Sequence, residues 1–303
     1  MPGPIRPADS LAEPFDPDDD IELADGGTPR SAGAVRPQAA LLTFCAHFLL
    51  DRPDPLFTGS FIDAVTRAGI GEHAARTTLT RMGQRGLLDR HRVGPKVYLS
   101  LTPRTGRLLH DAEARVWLQG AVNRSWSGDW TLLSFSLPES RRADRHQLRK
   151  RLSWEGFGML HNGLWITPSA VDVPKVLSGL NVDEDVKAFR ATALAPTEVR
   201  RLVADAWDLG ALAAGYTAFL GRWAGPAPRT DLGDDLARFL LLLTEWLLLV
   251  RIDPHLPESV LPPDWPAVAA ERLVHRLRAE YEPAARHVFE QFADWGTPAP
   301  AGA

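Results

Sequence analysis

Residues 56–101 constrain the fold more than any other stretch, because they combine two short helical segments, a glycine break and a basic hairpin. The first segment, Ser60 to Arg67, begins with a serine suited to an N-cap and has apolar residues at helical spacing. The sequence Ala68-Gly69-Ile70-Gly71 then breaks the helix, and Gly69 can take the positive φ of a tight turn. A second helix is predicted from about Glu72 to Arg85. Together these segments indicate a helix-turn-helix.

The second predicted helix has two chemically distinct faces. Ala75, Leu79, Met82 and Gly86 share one side, at i, i+4, i+7 and i+11. The opposite side carries side chains that can reach base edges and phosphates, namely His73, Arg76, Thr77, Thr80, Arg81 and Gln84. We therefore expect this helix to enter the major groove of DNA, with Arg76, Thr77, Thr80 and Arg81 making the groove contacts.

A β-hairpin is predicted directly after the second helix. Residues 87–92 and 96–101 form its strands, and Val93-Gly94-Pro95 forms its turn. Three basic residues surround that turn, namely Arg90, Arg92 and Lys96. In a winged helix-turn-helix this turn meets the phosphate backbone, so we predict phosphate contacts for Arg92 and Lys96. The same module also recognises proteins, and the pattern alone leaves that alternative open.

The local charge favours nucleic acid over protein as the partner. Residues 41–110 contain ten Lys and Arg against five Asp and Glu, a net charge of +5, whereas the whole chain has a formal net charge of -4. Positive charge is therefore concentrated where phosphate would lie.

The remaining composition excludes several classes of protein. A single cysteine, Cys45, rules out an intrachain disulfide framework and any multi-cysteine zinc site, and its apolar neighbours predict a core residue. The N-terminus lacks the basic start and apolar stretch of a signal peptide. The longest apolar run, Phe239 to Val250, carries Glu245 and is too short to span a bilayer, so it predicts a buried helix. We expect a cytoplasmic protein without a membrane partner.

Four regions are expected along the chain. Residues 1–36 form an acidic tail with eight Asp and Glu against three Arg, too polar to fold alone. Residues 37–120 form the winged domain, which begins with a helix from Gln38 to Asp51 and ends with a connector helix from Thr102 to about Gly120. Residues 126–195 form a central domain, and residues 196–295 form a helical domain.

The central region is predicted to have the element order β-α-β-β-α-β of a ferredoxin-like fold. Its strands cover Trp130 to Leu137, residues 157–160 and 164–166, and Val186 to Leu194, and its helices cover Glu139 to Trp154 and Val173 to Leu180. The first of these helices is strongly basic. Its arginines are open to three interpretations: a solvated face, contacts with DNA phosphates, or contacts with the phosphates of a ligand of the coenzyme A type.

The last region is predicted to be almost wholly helical. We expect one helix from Thr197 to Ala224, a very apolar helix from Leu232 to Arg251, and a last helix from about Ala267 to Ala293. A proline-rich loop separates the second helix from the third. The chain is therefore predicted to be an α+β, multidomain protein.

Three stretches together resemble the PaaX family of bacterial transcriptional regulators, which is named for the phenylacetic acid degradation repressor. The first stretch is Ala75 to Met82 with Gly86-Leu87-Leu88, and the third runs from Arg251 to Pro257 and from Leu261 to Pro266. The second stretch comprises Trp130, Arg141, Arg145, Leu148, Arg149, Leu152, residues 156–158 and residues 163–168. The resemblance extends over roughly residues 38–290.

This resemblance implies a homodimeric repressor that binds a palindromic operator in double-stranded DNA. It also implies a winged-helix domain, a central ferredoxin-like domain similar to Cas2, and a helical C-terminal domain. The implied effector is an acyl-CoA thioester, an aryl-CoA such as phenylacetyl-CoA, which releases the repressor from DNA in phenylacetate catabolism. One departure is visible in the wing, where Gly94-Pro95-Lys96-Val97-Tyr98 has fewer charges than the usual Gly-Arg-Arg-Ser-x-Tyr.

The sequence shows no catalytic machinery, so we expect no enzyme, no cofactor and no metal site. A Cas2-like nuclease would need an acidic residue at the end of the first central strand, but that strand ends Phe135-Ser136-Leu137-Pro138. Asp253, His255 and Asp264 could be drawn as metal ligands, yet their proline-rich context favours a structural loop in which the carboxylates cap helices or pair with Arg251. Trp154, Trp165, Trp207 and Trp223 are expected in the core rather than in a ligand cage, although an aromatic acyl group would need such a lining. The residues that bind the effector remain unassigned.

Overall fold

The structure is a computed structural model that describes residues 36–118, 120–225 and 228–296. The predicted acidic tail at residues 1–36 lies, except for Arg36, outside the described residues. The described chain contains a winged unit, a four-stranded central unit and a helical unit, in the order predicted from the sequence.

The winged unit consists of four helices and a three-stranded antiparallel sheet. Its elements are α1 (Pro37–Phe48), β1 (Leu56–Phe57), α2 (Thr58–Arg67), α3 (Glu72–Gln84), β2 (Leu88–Val93), β3 (Lys96–Leu101) and α4 (Pro103–Leu118). The strand order is β1-β3-β2. A left-handed Gly69, with φ of 89°, makes the turn between α2 and α3. The predicted helix-turn-helix and hairpin are therefore confirmed.

The N-cap predicted at Ser60 is wrong. Helix α2 begins two residues earlier, at Thr58, because β1 leads straight into it. The buried Ser60 hydroxyl donates to the carbonyl oxygen of Phe292 at 3.1 Å and accepts from the backbone N–H of Asp294 at 3.2 Å. The serine therefore ties α2 to the C-terminal end of the described chain instead of capping its own helix.

The central unit has the predicted ferredoxin-like topology. Its elements are β4 (Asp129–Phe135), α5 (Arg142–Trp154), β5 (Gly158–His161), β6 (Leu164–Thr167), α6 (Val173–Leu177) and β7 (Val186–Thr192). All strand pairs are antiparallel, and the order β5-β6-β4-β7 places the first and third strands of the unit in the middle. Leu148 and Leu152 of α5 pack on the sheet residues Leu133 and Trp165.

The helical unit consists of α7 (Val199–Ala206), α8 (Leu209–Trp223), α9 (Asp235–Ile252) and α10 (Pro266–Glu290). The prediction of one continuous helix from Thr197 to Ala224 is wrong. Trp207 has an extended backbone, with φ of -132° and ψ of 145°. Asp208 then caps α8 by accepting from the backbone N–H of Ala211 at 2.9 Å. The break turns the Trp207 ring toward the central unit, where it stacks at 6.3 Å from Trp130.

Helix α9 is the buried helix that the apolar run predicted. Its residues from Phe239 to Thr244 are all buried, and no described helix is long and apolar enough to cross a membrane. Both α1 and α2 of the winged unit pack against α9, and one hydrophobic core extends through both units. Cys45, which is fully buried, belongs to this core as predicted, and burial raises the pKa of its thiol to about 12.

An aromatic cluster joins the winged unit to the helical unit. The ring of Phe289 on α10 lies 5.2 Å from Phe44 and 4.7 Å from Phe48, both on α1. Phe48 in turn meets Phe239 of α9 at 6.2 Å. The two units therefore share side chains that neither could bury alone.

Substitution of Phe289 should show how far the fold depends on this cluster. We expect Phe289→Ala to lower the free energy of unfolding by about 3–5 kcal/mol, because the side chain is 1% exposed and its loss leaves a cavity. Phe189→Ala is the matched control, since that ring on β7 is 58% exposed and its loss should cost no more than about 0.5 kcal/mol. Urea unfolding followed by circular dichroism measures both; equal effects would contradict the shared core.

Candidate nucleic-acid interface

The structure separates the two faces of α3 as the sequence predicted. Ala75, Leu79 and Met82 are buried against the rest of the winged unit. The opposite face is open to solvent, with Thr77 half-buried and the other predicted residues exposed, namely His73, Arg76, Thr80, Arg81 and Gln84. The six side chains therefore share one accessible surface, which we call the α3 face.

Two members of the α3 face already have partners within the helix. Arg76 donates from Nε and Nη2 to Glu72 Oε1, at 3.0 and 2.7 Å. The Thr80 hydroxyl donates to the carbonyl oxygen of Arg76 at 3.0 Å, so only its lone pairs remain available. Arg81 has no hydrogen bond or ion pair to the rest of the described chain, which leaves its guanidinium the most available cation of this face.

The wing is a tight hairpin, and its basic residues differ in how free they are to contact an external partner. Gly94 and Pro95 form its two-residue turn, and Gly94 has the positive φ of 59° that this turn requires. Arg90 and Arg92 are exposed beside it on β2. Arg92 is held only by a long hydrogen bond of 3.4 Å from Nε to the carbonyl oxygen of Gly94. Both guanidinium groups can therefore reach an external partner.

Lys96 differs from the two wing arginines because it has an internal partner. Its Nζ lies 2.7 Å from Asp294 Oδ2 and 5.1 Å from the centre of the Phe57 ring. The Tyr98 hydroxyl donates to the other oxygen of Asp294 at 3.2 Å. The hydrogen bond to Asp294 and its negative charge raise the pKa of Lys96. The phosphate contact predicted for this residue therefore competes with an ion pair that sequence reasoning missed.

Asp294 belongs to a short segment that returns from α10 to the winged unit. We call residues 292–296 the C-terminal clamp. Phe57 N–H donates to the carbonyl oxygen of Asp294 at 2.9 Å, and Gly296 N–H donates to that of Pro55 at 2.7 Å. The clamp thus extends the winged sheet beside β1, and it explains why Ser60 is buried.

Arginines of α5, together with Arg141 directly before it, hold the central unit together, a role that none of the three predicted interpretations included. Arg141 donates to Asp144 and Asp185, each at 2.7 Å. Arg145 donates to the carbonyl oxygen of Leu137 at 2.8 Å, and Arg151 donates to that of Val176 at 3.2 Å. These three arginines are therefore committed to internal contacts.

Two roles are predicted for the carboxylates of the proline-rich loop, capping helices or pairing with Arg251, and for Asp253 the pairing is wrong. Asp253 does not pair with Arg251; it accepts from the Tyr216 hydroxyl and from the backbone N–H of His255, each at 2.7 Å. Burial raises the pKa of the Asp253 carboxyl to about 6 and raises that of the Tyr216 hydroxyl. Within residues 36–118, 120–225 and 228–296, no three His, Cys, Asp or Glu side chains are grouped so that they could hold a metal ion.

A cleft of about 430 Å³ lies between the central and helical units. The prediction that four tryptophans lie in the core is confirmed for Trp165 and Trp223, but Trp154 and Trp207 are only partly buried. Trp165 is buried but also lines the cleft, whereas Trp154 and Trp207 are half-buried in its walls. Arg251, at the C-terminal end of α9, lines it as well. This juxtaposition depends on the break between α7 and α8, so the sequence pattern did not show it.

Comparisons with known proteins agree with this architecture. Family models described as PaaX-like protein, PaaX protein central Cas2-like domain and PaaX-like protein C-terminal domain match residues 36–105, 123–203 and 207–291. The transcriptional repressor PaaX of Escherichia coli (strain K12) is 32% identical over 250 residues, which cover 78% of each chain. The chain belongs to the PaaX family.

A solved structure shares the fold of this PaaX-family protein. The uncharacterized protein Rv0674 from Mycobacterium tuberculosis superposes with a TM-score of 0.57, at 23% sequence identity, over 85% of this chain and 99% of that one. The likeness extends across all three units and concerns the fold alone.

The two faces of α3 should respond differently to truncation. We expect Leu79→Ala to lower the free energy of unfolding by about 2–5 kcal/mol, because Leu79 is 4% exposed. Arg81→Ala should change it by no more than about 0.5 kcal/mol, because the exposed side chain has no partner in the described chain. Denaturant unfolding of both variants checks the assignment; a large loss for Arg81→Ala would mean that this arginine is structural.

Proposed function

We propose that this transcriptional regulator is a homodimeric repressor that inserts α3 into the major groove of a palindromic operator and leaves it on binding an acyl-CoA thioester. The observation that carries the proposal is the α3 face, a solvent-exposed row of Thr, Gln, His and Arg on the second helix of a helix-turn-helix. Its kinship with an E. coli transcriptional repressor supports a role in transcription. An aryl-CoA such as phenylacetyl-CoA is the effector that we infer from the family.

The α3 face has the chemistry needed to recognise bases. Arg81 can donate two hydrogen bonds to guanine, and Gln84 can pair with adenine. The 13 residues of α3 span roughly 20 Å, long enough to lie across the groove. His73, Arg76, Thr77 and Thr80 complete the proposed contact set, with Arg76 reaching DNA only by turning away from Glu72.

The wing supplies the phosphate contacts in this proposal. Arg90 and Arg92 are exposed beside the Gly94-Pro95 turn and can approach the backbone directly. Lys96 would reach a phosphate only by leaving Asp294. We therefore assign Arg90 and Arg92 the larger share of the electrostatic attraction, which the net charge of +5 over residues 41–110 also favours.

Replacement of Arg81 tests the groove contact. We expect Arg81→Ala to weaken binding to the DNA upstream of the protein's own gene by more than tenfold, because a bidentate arginine–guanine contact is lost. Arg201→Ala on α7 is the matched control, an exposed arginine outside the winged unit, and should bind as the unaltered protein does. Fluorescence anisotropy at one fixed salt concentration measures both. Equal affinities for the two variants would remove Arg81 from the contact set.

Replacement of Arg92 tests the phosphate contact. Each phosphate neutralised contributes about 0.9 to the slope of log affinity against log salt concentration, so Arg92→Ala should reduce that slope by about that amount. Thr77→Ala should leave the slope unchanged, because its hydroxyl carries no charge. A wild-type slope near zero, with no preference for the upstream DNA over a scrambled duplex, would instead favour a winged module that binds protein.

A further inference from the structure

The cleft between the central and helical units combines an unpaired cation with aromatic walls. We propose that this cleft is the ligand-binding site of the protein, and that it takes an organic anion whose apolar, ring-sized group lies among the tryptophans while its charge meets Arg251. This inference rests on the proposed function in one respect, since it gives the effector a location. The cation, the aromatic lining and the position of the cleft each support it.

Arg251 is a charged group of the cleft whose terminal nitrogens the fold leaves without a described partner. Both of its terminal nitrogens are shielded from solvent and have no hydrogen-bond partner in the part of the chain that the structure describes. The Trp154 ring covers the guanidinium, with Cζ 3.6 Å from the ring centre. Burial and the nearby Arg36 lower the pKa of Arg251 to about 9, so it remains charged at neutral pH. A buried cation of this kind is costly without an anion, and a carboxylate or phosphate matches its two-pronged donor geometry.

The acidic residues of the cleft do not neutralise Arg251. Asp208 accepts from the N–H of Ala211 as the cap of α8. Asp253 accepts from Tyr216 and His255 on the other side of the loop. No ion pair joins either carboxylate to the guanidinium among the described residues. An external anion is therefore the partner that we propose for this guanidinium.

The rest of the lining suits an apolar ring. Phe157, Trp165 and Trp207 form part of the walls, and the indole N–H groups of both tryptophans are buried without a described acceptor. Met159 and Ile252, which are 41% and 68% exposed, line the same cleft and add apolar surface to it. The volume of about 430 Å³ lies within the usual range of ligand pockets, roughly 300–1,000 Å³, and the position between two units is a common one.

Trp154 gives the site an optical signal. The Trp154 ring stacks on the face of the guanidinium, and both terminal nitrogens are shielded from solvent, so pairing of Arg251 with an anion should change the surroundings of this ring. Ligand binding should therefore change the tryptophan fluorescence, and Trp154→Phe should diminish that change while the affinity remains measurable by calorimetry.

The test is a ligand titration of the full chain in the absence of DNA, followed by calorimetry and tryptophan fluorescence. Phenylacetyl-CoA, phenylacetate and coenzyme A are the three probes, which separate a thioester from a free aromatic carboxylate and from the phosphates alone. We expect Arg251→Gln to weaken binding of the preferred probe at least tenfold. Arg251→Lys should weaken it less, because lysine keeps the positive charge but cannot form the two parallel hydrogen bonds of a guanidinium. Arg201→Gln is the matched control and should bind as the unaltered protein does.

A second variant blocks the cleft without touching the cation. Ala211 is exposed and lines the cleft, so Ala211→Trp should fill the space and reduce binding at least tenfold while circular dichroism remains unchanged. Unaltered affinity in both Arg251→Gln and Ala211→Trp would overturn the proposal, and so would failure of all three probes to bind the unaltered protein at millimolar concentration.

Operator binding without ligand, measured on the same variants, separates this inference from the proposed function. Both cleft variants should bind DNA like the unaltered protein. Loss of all specific DNA binding with Arg251-dependent ligand binding intact would reject the repressor and keep the cleft. Specific DNA binding together with ligand affinity independent of Arg251 would keep the repressor and reject the cleft as the ligand site.

Discussion

The aromatic contacts between α1, α9 and α10 are the interaction on which the rest of the structure depends. Phe289 meets both Phe44 and Phe48, and each such pair adds about 0.5–1.5 kcal/mol beyond the burial of its area. A winged helix that folds as a separate module has a hydrophobic core of its own. Here that core continues into the helical unit, so the direction of the α3 face is fixed by helices that lie outside the winged unit.

The C-terminal clamp adds a second, polar connection between the same two units. It pairs with β1 through backbone hydrogen bonds, buries Ser60 and places Asp294 against Lys96 of the wing. The surface pair is worth little in stability. Its larger effect is electrostatic, because the carboxylate offsets one of the few wing charges. The departure of this wing from the more basic family pattern is thereby increased, and the proposed phosphate contacts are left mainly to Arg90 and Arg92.

Local patterns were sufficient for most of the fold. The spacing of Ala75, Leu79 and Met82 predicted the buried side of α3, and the order of the elements predicted the ferredoxin-like sheet. The break after Ala206 was missed because apolar residues continue through it, although Asp208 is a recognisable cap. The Lys96–Asp294 pair joins residues 198 positions apart, and the exposed aromatic walls of the cleft come from two units. Neither contact can be predicted from a short stretch of sequence, because the residues that form it are far apart in the chain.

Helix α9 connects the candidate nucleic-acid interface to the cleft. Its 18 residues span about 27 Å. At its N-terminal end Asp234 pairs with Arg67, the last residue of α2, immediately before the Gly69 turn that leads into α3. At its C-terminal end Arg251 lies under the Trp154 ring. A packed helix moves as a rigid body, so a displacement at Arg251 reaches α2 without any intermediate loop. A ligand shifts α9 only if it binds two positions of the helix with different affinity, so the anion proposed at Arg251 would act on α2 only under that condition.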